Sequence, residues 1–435
     1  MWFDESIVYQ IYPLGLCGAP SRNDGIQEHR ILGLLDWVEH IRKLGVDCVL
    51  LNPIAESDAH GYDTRDYYSV DKRLGTREDL QQICAAFHKA GIRVLFDGVF
   101  HHVGRGFWAF ENVRRKKWDS PYKDWFHLSF NGDTEYHDGF WYEPWEGHYE
   151  LVKLNLQHPD LRAHLFDAVR QWVRDYEIDG LRLDVAYSLD GDFLSALRRL
   201  ANEIKPDFVL IGETLHGDYN RFMNQNACHS VTNYECYKGL YSSFNCGNMF
   251  EISYSLNRQF GSEPWCLYTG KHLLSFLDNH DVTRIATILT DKRELPAIYG
   301  LLFGMPGVPC IYYGSEWGLE GDKRNGDVAL RPAISSPVVN SLTEMIAGLS
   351  VIRRKNKALC YGGYRNLIVQ PKQLVFERRW GDECVIVAVN SDENLFHTSL
   401  PFGETRLEDL LTGEVKNSTN SLDILPFSCS FYRVG

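Results

Sequence analysis

Eight short apolar runs, most of them separated by amphipathic stretches, leave this chain few folds to choose from. The runs are Ile7 to Tyr12, Val46 to Leu51, Ile92 to Phe96, Gly180 to Val185, Phe208 to Ile211, His229 to Thr232, Leu273 to Leu277 and Val308 to Tyr312. Helical periodicity covers Ile31 to Leu44, Arg77 to Ala90, Pro159 to Tyr176, Asp192 to Ile204 and Leu295 to Leu302. Thr76 ahead of Asp79 and Leu80 reads as a capped helix start, and Gly45 and Gly91 follow helical runs as C-cap glycines do. Such alternation argues a parallel α/β fold, and eight β/α units make a (β/α)8 TIM barrel.

Two regions break the rhythm. The third run is followed by a gap of about 80 residues before the fourth, far beyond an ordinary β–α loop. Its part from 103 to 149 is rich in Trp, Tyr, Phe and Gly, has no clear period, and reads as an inserted subdomain over the catalytic face. Near the C-terminus, 366 to 434 alternates apolar and polar residues in short runs such as Leu374 to Glu377 and Cys384 to Val389, with turns at Gly381-Asp382 and Thr412-Gly413. That texture predicts an antiparallel β-sandwich domain. The expected organisation is a barrel from 1–102 and 150–352, the insertion at 103–149 and the β-domain at 353–435.

Composition removes several function classes. Lys and Arg number 45 against 58 Asp and Glu, a net charge of −13, which disfavours nucleic acid as a partner. No apolar stretch approaches the roughly 18 to 20 residues of a membrane span. Eleven dispersed cysteines without a C-x-x-C pair argue against a cysteine zinc site and for a reducing compartment. The opening Met-Trp-Phe-Asp-Glu-Ser lacks a basic start and apolar stretch, so the expectation is a cytoplasmic protein.

In a TIM barrel the chemistry sits at the C-terminal ends of the strands. Those ends here read Asp97-Gly98-Val99-Phe100-His101-His102, Arg182-Leu183-Asp184, Gly212-Glu213 and Asp278-Asn279-His280-Asp281. A single Asp at a strand end is commonly a turn or cap residue. Four ends carrying acids to one mouth are costly to bury, which argues for function.

With these blocks in order on the predicted strands, the sequence resembles the α-amylase family of glycoside hydrolases. Leu151-Val152-Lys153-Leu154-Asn155, Trp145-Glu146-Gly147 and Gly61-Tyr62-Asp63-Thr64-Arg65-Asp66-Tyr67-Tyr68 also match that family. Their form is similar to its neopullulanase, cyclomaltodextrinase and maltogenic amylase branch. The resemblance implies Asp184 as nucleophile, Glu213 as general acid/base and Asp281 as the third carboxylate. Arg182 lies two residues before Asp184, so both side chains share a face. The resemblance further implies that Tyr62 stacks under the sugar at the cleaved bond. His102 and His280 would hydrogen-bond it, Asp327 and Arg331 grip it, and Tyr12 match a binding position. Asp97 would orient His102 or Arg182 from behind.

Two departures shape the expectations. His101 stands where the family has an Asn that helps hold calcium, and histidine is a poor calcium ligand. No metal is expected at that place, calcium elsewhere is left open, and no other cofactor is required. Leu215 replaces the Trp that the branch carries two residues after the acid, which puts α-1,6 and cyclodextrin specificity in question. The branch's N-terminal β-domain is not expected, since Ile7 to Tyr12 already reads as the first barrel strand. The implied function is retaining hydrolysis of α-1,4 links in malto-oligosaccharides and starch-type dextrins. The alternatives are transglycosylation, or cyclomaltodextrinase and neopullulanase activity with α-1,6 tolerance. A non-catalytic scaffold would lack one of the three acids, and all are present. Oligomeric state is not readable.

Overall fold

The computed structural model describes residues 1–435. All eight apolar runs are strands: β1 (Val8–Ile11), β2 (Cys48–Leu51), β3 (Arg93–Gly98), β4 (Gly180–Leu183), β5 (Val209–Gly212), β6 (Ser230–Val231), β7 (Leu274–Phe276) and β8 (Val308–Tyr312). They form one parallel sheet in the order β6-β5-β4-β3-β2-β1-β8-β7. A parallel bridge between Thr232 and Leu274 brings β6 to β7 and closes the barrel.

The period of two along each strand divides the side chains between two cores. Val8, Cys48, Leu50, Leu95, Val209 and Ile211 fill the interior, where Phe3 from the short turn Trp2–Glu5 joins them and closes the bottom. Tyr9, Val49, Leu51, Val94, Phe96 and Leu181 point outward into the larger core under the helices. The interior is tight at Gly180, where a Cβ would lie 2.4 Å from the Val209 carbonyl oxygen and 2.7 Å from Leu95.

The outer helices follow the expected periodicity: α1 (Leu35–Lys43), α2 (Arg77–Lys89), α3 (Pro159–Tyr176), α4 (Gly191–Ile204) and, later in the chain, a helix at Leu295–Gly304. Thr76 Oγ1 accepts from Asp79 N at 3.2 Å while the Asp79 carboxylate accepts from Thr76 N, a reciprocal cap. Two helices after β6, at Tyr234–Asn245 and Met249–Phe260, escape the sequence reading. Their buried faces include Cys236, Ser243, Ser253, Ser255 and Gln259, which blurs the apolar stripe.

Between β3 and β4 the insertion carries a helix, Trp108–Lys116, and a three-stranded antiparallel sheet built from His102–Gly104, His148–Lys153 and Pro144–Trp145. Its core is aromatic, with Phe107, Phe110, Phe126, Phe140 and Tyr142 buried and largely edge-on to one another. Packing rings in this way needs no regular spacing, so the sequence shows no period here.

The C-terminal unit is a six-stranded antiparallel sheet covered on one face by a two-stranded ribbon, Phe396–Ser399 with Ser421–Ile424. The sandwich is therefore unequal, with Val375, Ile386 and Ala388 facing Leu400, Leu422 and Ile424. The opposite face meets the helix Leu295–Gly304, where a Cβ on Gly304 would lie 2.7 Å from Val387. Two buried arginines join the units through main-chain carbonyls. Arg353 donates to Phe303, Gly307 and Leu359, and Arg378 donates to Gly304 and Gly362. No helix is long and apolar enough to cross a membrane. All eleven cysteines are free thiols.

Candidate active site

The inward face that is apolar low in the barrel becomes polar at its mouth. Continuing each strand by the same period places Gln10, Asn52, Asp97, Arg182, Asp184 and Glu213 above the interior residues Val8, Leu50, Leu95 and Ile211. Arg182 is the register partner of both Asp97 on β3 and Ile211 on β5. Asp184 N donates to Gly98 O at 3.1 Å and Glu213 N to Leu183 O at 2.9 Å, so the sheet's own ladder fixes both carboxylates' backbones.

The Arg182 guanidinium organises the centre. Nη1 donates to both oxygens of Asp97 at 2.9 Å and to Asp184 Oδ1 at 2.9 Å, while Nη2 lies 2.7 Å from Glu213 Oε1. Because one rigid guanidinium touches both, Asp184 Oδ1 and Glu213 Oε1 lie within about 8 Å of each other. Asp97 therefore orients Arg182, one of the two groups expected of it. It also accepts from Asn52 at 2.9 Å and from the Tyr62 hydroxyl at 3.0 Å.

Glu213 has a second anchor. Val185, directly after Asp184, adopts φ 40° and ψ 45°, a left-handed conformation that a β-branched residue rarely takes. That turn aims its N–H at Glu213 Oε2, 2.9 Å away. Local strain of this kind costs about 1–3 kcal/mol and persists where surrounding structure enforces it.

The other wall comes from the segment after β7. His280 Nδ1 lies 2.9 Å from Gln10 Nε2, and its Nε2 lies 2.9 Å from Asp281 Oδ2 and also faces the Tyr62 hydroxyl. With the Gln10 amide donating, the imidazole proton sits on Nε2. The rings of Tyr62 and His280 are nearly parallel at 11°, with centroids 5.5 Å apart, and Tyr12 stacks on the same imidazole at 6.1 Å. Arg331 donates to Asp281 Oδ1 at 2.9 Å and to His280 O at 3.0 Å, and covers the Tyr12 ring. Asp327 lies 3.2 Å from Arg331 but is half-exposed and also bound by Lys323, which puts it at the rim. His102 is buried beside Asp184, with 3.9 Å between Nε2 and Oδ2, and that nitrogen has no hydrogen-bond partner.

Proton affinities follow from burial and charge. Burial raises Asp184 and Glu213, Arg182 opposes it, and the two carboxyls together hold one proton above the usual carboxylate range. Burial also acts on Asp281, but His280 and Arg331 outweigh it and keep that group well below the range. Burial pulls His102 down to about 3 and His101 down to about 4, the latter with help from Lys153, so both imidazoles are neutral at pH 7. The arrangement thus offers a protonated carboxyl, an ionised one and a neutral hydrogen-bonding wall around one space.

Every residue singled out in the sequence lies in this constellation or at its rim. Gln10, Asn52, Asn279 and Tyr234 were not singled out. Asn279 Nδ2 donates to the Tyr234 hydroxyl at 2.9 Å and its Oδ1 accepts from Asp281 N at 2.8 Å. Gln10 and Asn52 could have been found by extending the strand alternation one step past the apolar run. Tyr234 follows an unrecognised helix start and left no such signal.

The family described as Alpha amylase, catalytic domain matches residues 10–345. A cyclomaltodextrinase from Bacillus sp is 29% identical over 422 residues, covering 90% of this chain and 74% of that protein. Neopullulanase 2 of Thermoactinomyces vulgaris is 29% identical over 450 residues, covering 95% and 74%. The ligand-free cyclic α-maltosyl-(1→6)-maltose hydrolase from Arthrobacter globiformis superposes with a TM-score of 0.85 at 26% identity and covers 100% of both chains. The chain belongs to the α-amylase family of glycoside hydrolases, whose members act on α-glucans.

Proposed function

We propose that this enzyme hydrolyses α-1,4-glucosidic links of malto-oligosaccharides and starch-type dextrins with retention of configuration. The observation that carries the reading is the shared guanidinium, which sets Asp184 and Glu213 on adjacent strands around one space with Asp281 beside them. Asp184 attacks the anomeric carbon, and Glu213 gives its proton to the departing oxygen. A covalent glycosyl-enzyme forms on Asp184. Glu213, now ionised, takes a proton from water as the water displaces the carboxylate. Asp281, kept ionised, holds the ring hydroxyls and favours the positive charge that develops on the sugar. Arg182 opposes the burial that raises Asp184, Tyr62 supplies a flat face, and His102 and His280 hydrogen-bond the sugar.

The test is a time course of products from maltotriose, maltohexaose, β-cyclodextrin and pullulan, with the anomer of the first product read by NMR. The α-anomer is expected first; the β-anomer first would overturn double displacement. A second reading, capture of the intermediate by another sugar, is favoured by Leu215, which is 38% exposed two residues beyond Glu213 and offers an apolar face to an acceptor. Products longer than the substrate at high maltohexaose would support it. The same time course reads tolerance of cyclic and α-1,6-linked dextrins.

No catalytic role is assigned to a metal. His101 is buried against His102, with 3.3 Å between the Nδ1 atoms, and its neighbour Lys153 places a cation nearby. Activity is expected to survive dialysis against EDTA within about twofold, and a loss restored by calcium would overturn this reading. We also infer a cytoplasmic location, supported by the eleven free thiols and by similarity to an intracellular maltogenic amylase of Bacillus subtilis, 26% identical over 434 residues.

A further inference from the structure

On the inserted subdomain an indole stands out in solvent. Trp118 is 65% exposed, yet it is not a loose side chain, because its ring lies nearly parallel to Phe130 at 26° with the centroids 4.1 Å apart. Phe130 is backed in turn by the buried Phe140. The main chain works to present it. Lys117, directly before the indole, adopts φ 52° and ψ −120°, an unfavourable conformation for a residue with a side chain. Its ammonium binds the Asp138 carbonyl and lies 4.9 Å from the centroid of the Phe140 ring, so the strained turn is locked from both sides.

Phe130 covers one face of the indole, and the other face is about the size of one pyranose, whose axial C–H groups stack on aromatic rings. The surroundings favour a sugar over a protein. Arg115, Lys116, Asp119 and Asn131 are all exposed, so charged and polar side chains adjoin the rings along the chain, unlike the apolar centre of a stable protein interface. Asp119 and Asn131 follow directly on the two rings in sequence and supply acceptors and donors for ring hydroxyls. We propose that Trp118, held in place by Phe130, forms a surface subsite that stacks a glucosyl unit of an α-glucan chain and tethers polymeric substrate to the insertion. This rests on the family's action on α-glucans and goes beyond the chemistry of the barrel mouth.

The test compares wild type, Trp118→Ala and Trp118→Tyr. Each is run on native gels cast with and without amylopectin, and each is assayed on maltotriose and on amylopectin. Wild type and Trp118→Tyr are expected to be retarded by the polymer. Trp118→Ala should lose most of that retardation and raise KM on amylopectin about threefold to tenfold, while kcat/KM on maltotriose stays within about twofold. Equal retardation and equal polymer KM in Trp118→Ala would overturn the subsite, as would a wild type that amylopectin does not retard. A misfolded Trp118→Ala is recognised by matching losses on maltotriose, and Trp118→Gln, polar at this exposed position, then decides by the same expected loss of retardation. If wild type fails to cleave maltotriose at all, the proposed hydrolysis fails, while the gels still judge the platform.

Discussion

Asp184→Asn is expected to lower kcat by about four orders of magnitude or more on every substrate, whatever its leaving group. Glu213→Gln should lose as much on maltotriose but recover much of it on an aryl maltoside with an acidic phenol, whose departure needs no proton. The contrast separates the two roles, since an activated leaving group cannot replace a missing nucleophile. The pH profile gives a second reading. The pair holds a proton above the usual carboxylate range, so the rate falls as pH rises and that proton leaves. A glutamine has no proton to lose, and residual activity of Glu213→Gln should show no alkaline limb. Unchanged turnover in either variant, or an alkaline limb that survives in Glu213→Gln, would remove the mechanism.

The second large effect concerns Arg182. Its side chain is 4% exposed and touches Asp97, Asp184 and Glu213, which are themselves 8% exposed or less. In Arg182→Met three buried carboxyls lose their only shared cation, and breaking a buried pair in this way costs about 3–5 kcal/mol. The pH dependence has a definite sign. Asp184 and Glu213 already bind protons more tightly folded than unfolded, and without the guanidinium they do so more strongly. A group raised on folding stabilises the folded state below its unfolded pKa and loses that contribution as pH climbs through the folded value. The deficit of Arg182→Met relative to wild type should therefore be smallest near pH 5 and grow towards pH 8. Urea unfolding at several pH values measures it, and a deficit that shrinks with rising pH would refute the account. Activity should fall with stability, because Asp184 would stay protonated and unable to attack.

These two predictions rest on residues that the sequence exposed, for a physical reason. Strands buried on both faces must be apolar throughout, so the step from Leu181 to Arg182 or from Phe96 to Asp97 marks the level at which the interior becomes polar. A charged side chain there is expensive unless it is used, which is why Asp97, Arg182, Asp184 and Glu213 stood out. Gln10 and Asn52 occupy the same level but are uncharged, and neutral amides raise no alarm in a sequence. The helices Tyr234–Asn245 and Met249–Phe260 were hidden because they bury serines, a glutamine and a cysteine against each other rather than a clean apolar stripe. The strained turn at Val185 was invisible, since nothing about a valine announces a positive φ. The form of the insertion was not legible, because edge-on aromatic packing sets no spacing along the chain. The short ribbon of the C-terminal unit likewise follows from which strands find partners, a matter of long-range pairing rather than local pattern.

Phe3 and the apolar side chains beneath the carboxylates have a consequence for the order of events. They fill the barrel beneath Asp184, so substrate and water come to it from the mouth. Under the proposed double displacement, the liberated sugar leaves by that mouth before a solvent molecule takes its place over the glycosylated aspartate. Whatever crowds the doorway during that interval competes for the same carbon. If the intermediate forms as proposed, water is the expected competitor in dilute substrate and the hydroxyl of another saccharide in concentrated syrup, with shortened and lengthened chains as the respective outcomes.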